Sequence, residues 1–284
     1  MGLIVVDTQA NRNYSINPAS LPNNIDSNAK RIISLSPAIT ELVFSAGAGS
    51  KLVGVSRFSN FPSEARSIPE IGDAYSLDLE RIVELNPEFI IAWKQASTYK
   101  DLDRLNYLGF QVLKIEISRL DDIPNLIRQI GELAKTEERA ELAASRYEET
   151  LFRIKQSHDN RALIKALQLI WLQPLITFGK NHLINEILGV CGGKNVADFF
   201  SGNTFALPTE SMVAANPEVI FDSTGAPEEE QFFRKLSSIS AVKNNHIFSI
   251  PPDLIFRETV RVLDAIQMVC NYFDGIRVKM YPEA

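Results

Sequence analysis

The sequence predicts an α/β protein built as two Rossmann-like lobes joined by a single long α-helix. Three observations carry that expectation. Leu77–Ile91 (LDLERIVELNPEFII) and Leu207–Phe221 (LPTESMVAANPEVIF) are the same unit twice: Leu77/Leu207, Glu80/Glu210, Val83/Val213, Asn86/Asn216, Pro87/Pro217, Glu88/Glu218 and Ile90/Ile220 coincide at a constant spacing of 130 residues. A second echo sets Ile39-Thr40-Glu41-Leu42, followed by Gly47-Ala48-Gly49, against Ile184-Asn185-Glu186-Ile187, followed by Cys191-Gly192-Gly193. Between the copies lies a charge-rich helical stretch, Thr136–Gln156, about 30 Å long at 1.5 Å per residue. The spacing is far too long for a solenoid of roughly 20–50-residue units. Two similar helix–strand units within one sheet are the alternative. The expected division is a first lobe over residues 1–135, an inter-lobe helix over 136–160 and a second lobe over 161–284.

Taken in order, residues 1–30 carry a short strand and then a run of breakers (Asn11, Asn13, Pro18, Pro22, Asn23, Asn24), which reads as an edge hairpin or arm. Regular alternation begins at Arg31. Ile32–Leu35 is a strand, Ser36-Pro37 an N-cap with a first-turn proline, Ala38–Ala46 a helix ended by Gly47 and Gly49, and Val53–Ser56 a strand. The loop Arg57–Asp73 is long and carries Phe58 and Phe61. In the first repeat copy a helix with apolar positions three and four apart stops at Asn-Pro and feeds the β-branched run Phe89–Ala92, ending at Trp93. A helix over Asp101–Leu108, a stop at Gly109 and the strand Gln111–Ile117 complete the first half. Asp121–Gln156 reads as nearly all helical. The second half begins at Ala162: a strand over Ala166–Leu172, a loop bracketed by Trp171, Pro174 and Phe178, a helix over His182–Leu188, the aromatic loop Asp198–Ala206, and the second repeat copy. A helix over Glu228–Leu236, the strand Ile247–Ile250 and a final helix over Arg257–Phe273 close the chain.

A chain of 284 residues, 45% hydrophobic, can bury one large or two medium cores. Its net charge of −6 argues against a nucleic-acid partner and against attraction to anionic lipid. No apolar run approaches the roughly 18 residues of a spanning helix, and Leu3–Val6 is too short for a signal-peptide core. The chain therefore reads as cytosolic, or as already processed. Cys191 and Cys270 have neither CxxC nor zinc spacing. They are either free buried thiols or a disulfide closing 79 residues, worth at most ~4 kcal/mol and stable only outside the reducing cytosol.

Nothing in the chain has the form of a catalytic motif. His158, His182 and His246 have no metal spacing and read as solvated side chains, and HExxH, P-loop, GxSxG and GxGxxG are all missing. What recurs is an aromatic group on the strand-to-helix loops of each lobe: Phe58, Phe61, Tyr75 and Trp93, then Trp171, Phe178 and Phe205. A strand-end tryptophan stands where open α/β sheets place ligands, and an apolar cleft between lobes is a usual small-molecule site. Binding is favoured over chemistry, with no catalytic residue, metal or cofactor expected.

The stretches RIISLSPAITELVFSAGAGSKLVGVS, FPSEA and LERIVELNPEFIIAW resemble the substrate-binding proteins of ABC importers for cobalamin, haem and ferric siderophores, and within them the cobalamin-binding branch. The resemblance runs from Arg31 to Phe273, with GLIVVDTQANRNYSI similar to the N-terminal hairpin of many relatives. It implies a class III periplasmic binding protein: a monomer in the periplasm, its leader absent from this sequence, with two lobes bridged by one helix, little hinge motion and a corrinoid held between the lobes as transported ligand. By that resemblance Asp253 and Arg257 match an Asp-x-x-x-Arg ligand unit. Phe58, where tyrosine is usual, and Trp93 match ligand aromatics. Glu80 and Glu210 match lobe-tip glutamates that dock the permease, without membrane insertion of the binding protein itself. Cys191 and Cys270 match a disulfide. Two family tryptophans fall on Ala74 and Thr204, beside Tyr75 and Phe205, which with Trp171 complete the expected ligand-binding set. Haem-binding relatives place a tyrosine after the glycine matched by Gly72, where this chain has Asp73. Siderophore binding would lean on basic residues, represented by Arg57 and Arg257. An intracellular α/β enzyme is the rival from another class.

Overall fold

The computed structural model describes residues 31–225 and 229–280; the expected N-terminal arm lies outside them. The first lobe is a parallel sheet of β1 (Ile32–Ser34), β2 (Leu52–Val55), β3 (Phe89–Trp93) and β4 (Gln111–Ile115), in the order β2-β1-β3-β4. Side chains alternate across a strand, and here both faces are covered. Ile32, Phe89 and Ile91 enter one apolar cluster, while Ile33, Ile90 and Ala92 enter another on the opposite face. That is why these strands read as unbroken apolar runs.

Helix α1 (Pro37–Ser45) follows β1, its first turn capped by the Ser36 hydroxyl, which accepts from the Ala38 N–H. Helix α2 (Leu79–Leu85) precedes β3, and α3 (Tyr99–Tyr107) precedes β4. The expected continuous helix from Asp121 is two helices, α4 (Asp122–Ala134) and α5 (Glu137–Ser157), separated where Lys135 adopts φ 56°. The two then pack closely: a Cβ added to Gly131 would stand 2.2 Å from the Ala140 Cβ. Arg128 of α4 ties them by paired bonds to Glu141 (2.8 and 2.9 Å) and Glu148 (2.6 and 2.9 Å) of α5. The guanidinium holds the Glu141 carboxyl down at about 2.

All strands of the second sheet lie after α5. β5 (Ile164–Leu172) pairs in parallel with β9 (Val219–Asp222), which pairs with β10 (Ile247–Ser249), and at its start with β7 (Gly193–Asn195). On its other edge β5 turns into an antiparallel neighbour, β6 (Leu175–Phe178), extended by β8 (Thr204–Ala206). The loop expected between Trp171 and Phe178 is thus a hairpin, and this sheet is mixed. Helix α6 (Ile184–Val190) follows the hairpin and α7 (Thr209–Ala215) precedes β9. α2 and α7 each bury one side chain, Ile82 and Met212, and each ends on an asparagine in the left-handed region, Asn86 (φ 42°) and Asn216 (φ 45°). Asparagine tolerates that conformation, and the following proline cannot continue a helix. After α8 (Glu229–Arg234) and α9 (Ser240–Lys243) come β10, α10 (Pro252–Ile255) and α11 (Val262–Met280). The final helix therefore begins at Val262 and not at Arg257.

One apolar cluster runs through both lobes, from Ile32 and Leu42 through Tyr147, Leu151 and Ile154 of α5 to Ile187, Val219 and Phe273. Cys191, just past α6, and Cys270 of α11 are joined by a disulfide with Cα atoms 4.8 Å apart inside that cluster. Two glutamates cross between the lobes. Glu41 of α1, its side chain 1% exposed, accepts from Arg257 (2.8 Å), from Thr259 (3.0 Å) and from two nitrogens of Arg261 (2.5 and 2.9 Å). Glu186 of α6 reaches the other way, accepting the Leu120 N–H at 2.8 Å beside Arg119 and Lys155. The echoed positions Glu41 and Glu186 thus perform reciprocal tasks, one buried and one partly solvated.

Candidate functional site

A cleft of about 750 Å³ opens at the C-terminal ends of β1–β4 and is closed from the other side by the second lobe. Strand ends give its floor: Ser36 beyond β1, Ser56 beyond β2, Trp93 at the end of β3 and Ile115 at the end of β4. His182, Leu183 and Glu258 come from the second lobe. The volume and placement are those of a small-molecule site at the edge of an open α/β sheet.

Of the residues expected from the sequence, Phe58, Tyr75 and Trp93 line this cleft. Trp93 is half-buried against the shared core, while Phe58 and Tyr75 are 68% and 86% exposed. Phe58 is held outward by a φ of 68°, unusual for a bulky residue, in the turn that follows β2. Tyr75 belongs to a tight loop whose geometry rests on its neighbours. Asp73 accepts the backbone N–H groups of Tyr75 (2.9 Å) and Ser76 (3.1 Å), which with the nearby Arg57 guanidinium hold its carboxyl below the usual range. Gly72 sits at φ 116°, where a Cβ would meet the Ser76 carbonyl oxygen at 2.3 Å.

The other four lie outside the cleft lining. Trp171, 56% exposed at the hairpin end of β5, donates its indole N–H to the Gln173 carbonyl at 2.9 Å. Phe205 of β8 stacks on Phe200 at 4.3 Å and meets Phe199 edge-on at 5.7 Å. Asp253 and Arg257 form an ion pair of 2.9 Å, but the Arg257 side chain is 12% exposed and also grips Glu41 and Asn60. Phe61, also singled out, carries the Arg261 guanidinium 4.0 Å above its ring, and Phe178 is buried against His182.

The histidines depart from the solvated reading. His246 is buried, its Nδ1 3.2 Å from the Glu218 carbonyl. His158 has an 8% exposed side chain facing Asp274 at 3.2 Å. His182 lies on the cleft wall, its ring stacked 3.7 Å from Phe178, and burial lowers its pKa to about 4. Sequence reasoning also passed over Glu41 and Glu258. Glu41 was findable, as the one charged residue of a stretch, Ala38–Val43, that is apolar apart from it and Thr40; Glu258 carried no such signal.

Charge on the cleft wall is largely matched. Arg57 faces Asp73 at 3.4 Å and Glu70 at 3.9 Å, and Lys94 faces Glu116 at 3.0 Å. Gln95, Ser97, Asn181 and Asn203 add neutral hydrogen-bonding groups. Among the described residues no group of three metal-ligating side chains occurs, and no helix is long and apolar enough to cross a membrane. Outside the cleft lining, Glu80 and Glu210 occupy the first turns of α2 and α7, both exposed, with Val83 and Val213 46% and 38% exposed three residues on.

Comparison with known proteins places this geometry among relatives. The family described as periplasmic binding protein matches residues 32–254. A vitamin B12-binding protein of Vibrio parahaemolyticus is 30% identical over 251 residues, covering 88% of this chain and 91% of the relative. One from Pectobacterium carotovorum is 28% identical over 256 residues, covering 87% and 89%. The crystal structure of the periplasmic vitamin B12-binding protein of Vibrio cholerae superposes with a TM-score of 0.79 at 29% identity, covering 87% of this chain and 97% of that one. A periplasmic haem-binding protein of the same organism shares the fold, with a TM-score of 0.75 at 23% identity and coverage of 86% and 98%.

Proposed function

This chain belongs to the periplasmic binding protein family, and on that premise we propose that it captures a corrinoid of the vitamin B12 type in the cleft between its lobes and delivers it to an ABC importer. It acts as a carrier and not as an enzyme, in the periplasm, with the corrinoid as cargo and no cofactor of its own.

The observation that carries the ligand class is the charge matching of the cleft. Arg57 and Lys94 already face carboxylates, so the wall offers aromatic surface and neutral hydrogen-bonding groups in place of free cations. A corrin ring is a large flat apolar body fringed with uncharged amides, which suits aromatic edges such as Trp93 and Phe58. Haem brings two carboxylates, and ferric siderophore complexes are commonly anionic; burying either against matched charges is unfavourable. The position after Gly72 is Asp73, which offers no phenolate to an iron.

Phe58, Tyr75 and Trp93 form the near wall of the site, and Trp171, Phe205, Asp253 and Arg257 border a bulky ligand that projects beyond the cleft. Glu80 and Glu210, one exposed carboxylate per lobe, dock the importer. The test is titration of the purified protein with cyanocobalamin, followed by calorimetry and tryptophan fluorescence, with hemin in parallel. Submicromolar one-to-one binding of cyanocobalamin, weakened about tenfold or more by Trp93→Ala, is the expected result. Tight hemin binding without cobalamin binding would overturn the ligand and keep the transport role.

A further inference from the structure

Three carboxyls line the cleft, and two have cations: Asp73 has Arg57 and Glu116 has Lys94. The third, Glu258, has none among the described residues. Its neighbours Arg257 and Arg261 turn away to Glu41, as does Thr259, and the hydrogen bond left to the Glu258 carboxyl is from its own backbone N–H. The segment 257–261 is irregular because three of its side chains reach Glu41, and that leaves the side chain between them on the cleft wall. Enclosure raises its pKa above the ordinary carboxyl range.

His182 stands on the same wall of the same lobe. Its Nδ1 accepts the Ile184 N–H at 3.1 Å, so in the neutral ring the proton sits on Nε2, which has no partner among the described residues. Stacking on Phe178 fixes the ring plane. The lobe therefore presents an enclosed carboxyl and a fixed N–H donor, neither answered by another residue among those described, to whatever occupies the cleft.

We propose that Glu258 and His182 form a hydrogen-bonding edge that reads a primary carboxamide of the cargo and rejects a carboxylate in its place. This rests on the corrinoid reading above. A protonated carboxyl donates its O–H to the amide carbonyl and accepts an amide N–H through its other oxygen, and the imidazole Nε2–H supplies a second donor. A carboxylate loses the donor that the Glu258 carbonyl oxygen requires and brings an anion to a place where each nearby cation is already paired. The edge thus determines specificity, separating an intact corrinoid from one deamidated at the side chain seated there.

The experiment compares cyanocobalamin with its three singly deamidated propionamide derivatives, from about pH 5.5 to about pH 8, against wild type, Glu258→Gln and Glu258→Ala. The ionisable groups sharing the cleft are Arg57, Asp73, Tyr75, Lys94, Glu116 and His182, with Glu41, Arg257 and Arg261 behind Glu258. His182 is neutral throughout that range, having its pKa near 4. In wild type, one derivative binds about 10–100-fold more weakly than cyanocobalamin, the others within a few fold, and cyanocobalamin affinity falls where rising pH ionises Glu258. Glu258→Ala loses about tenfold for cyanocobalamin. Glu258→Gln, which pairs with an amide as the protonated carboxyl does, stays within about threefold for cyanocobalamin, keeps the discrimination and loses the pH slope. If both variants match wild type for all four ligands while Trp93→Ala still weakens binding, the inference falls and the corrinoid reading stands. If wild type fails to bind cyanocobalamin, both fall.

Discussion

Glu41 shows how much a single side chain can organise. A carboxylate excluded from water is tolerable only when its oxygens are fully answered, and here four hydrogen bonds from Arg257, Thr259 and Arg261 do so. Removing it would strand the Arg261 guanidinium and leave Arg257 to Asp253 and Asn60. Glu41→Ala should therefore cost about 3–5 kcal/mol in urea unfolding, and an unchanged midpoint would refute the role given to it. At this scale the aromatic part of the site was legible: Trp93 ends an apolar strand and Phe58 sits in an overlong loop, both readable without coordinates. Glu258 and His182 were not. Their significance depends on which way each residue of a five-residue irregular segment turns and on a ring stacked against Phe178, and no periodicity encodes either.

Among the elements, the repeated helix–Asn-Pro–strand unit was readable because each step has local chemistry: an amphipathic turn, an asparagine stop, a proline, then a β-branched run. Elements stabilised from a distance were missed. Helix α9 has its first N–H, from Ser240, answered by the side chain of Asn216, 24 residues earlier. Strand β6 has only four residues between Pro174 and Gly179 and depends on β5 and β8 for its partners. The final helix starts late because Arg257, Thr259 and Arg261 are held by Glu41, a residue more than 200 positions away in the chain. Two consequences belong here. Gly72→Ala puts a Cβ against the Ser76 carbonyl oxygen in a left-handed turn, so cyanocobalamin affinity should fall with little change in the unfolding of either sheet. Replacing Cys191 and Cys270 together with alanine should lower stability by about 2–4 kcal/mol, measured against the oxidised wild type, while leaving ligand affinity nearly intact because the bond lies in the core and not on the cleft.

Over the whole molecule, the duplication puts one exposed first-turn glutamate on each lobe, outside the cleft lining. Glu80→Ala with Glu210→Ala should leave cyanocobalamin affinity unchanged and abolish uptake in vesicles carrying the importer, with wild-type uptake weakening as salt screens the contact. Unchanged uptake by the double variant would remove these residues from docking. The common apolar cluster and the crossed glutamates tie the two lobes together, and on the expectation of little hinge motion the outline is the same whether or not the cleft is filled. If Glu80 and Glu210 dock the importer as proposed, empty and laden copies offer it the same pair of carboxylates and rival each other for it. A carrier that keeps its shape cannot announce its load by it, so surplus unladen copies should slow uptake.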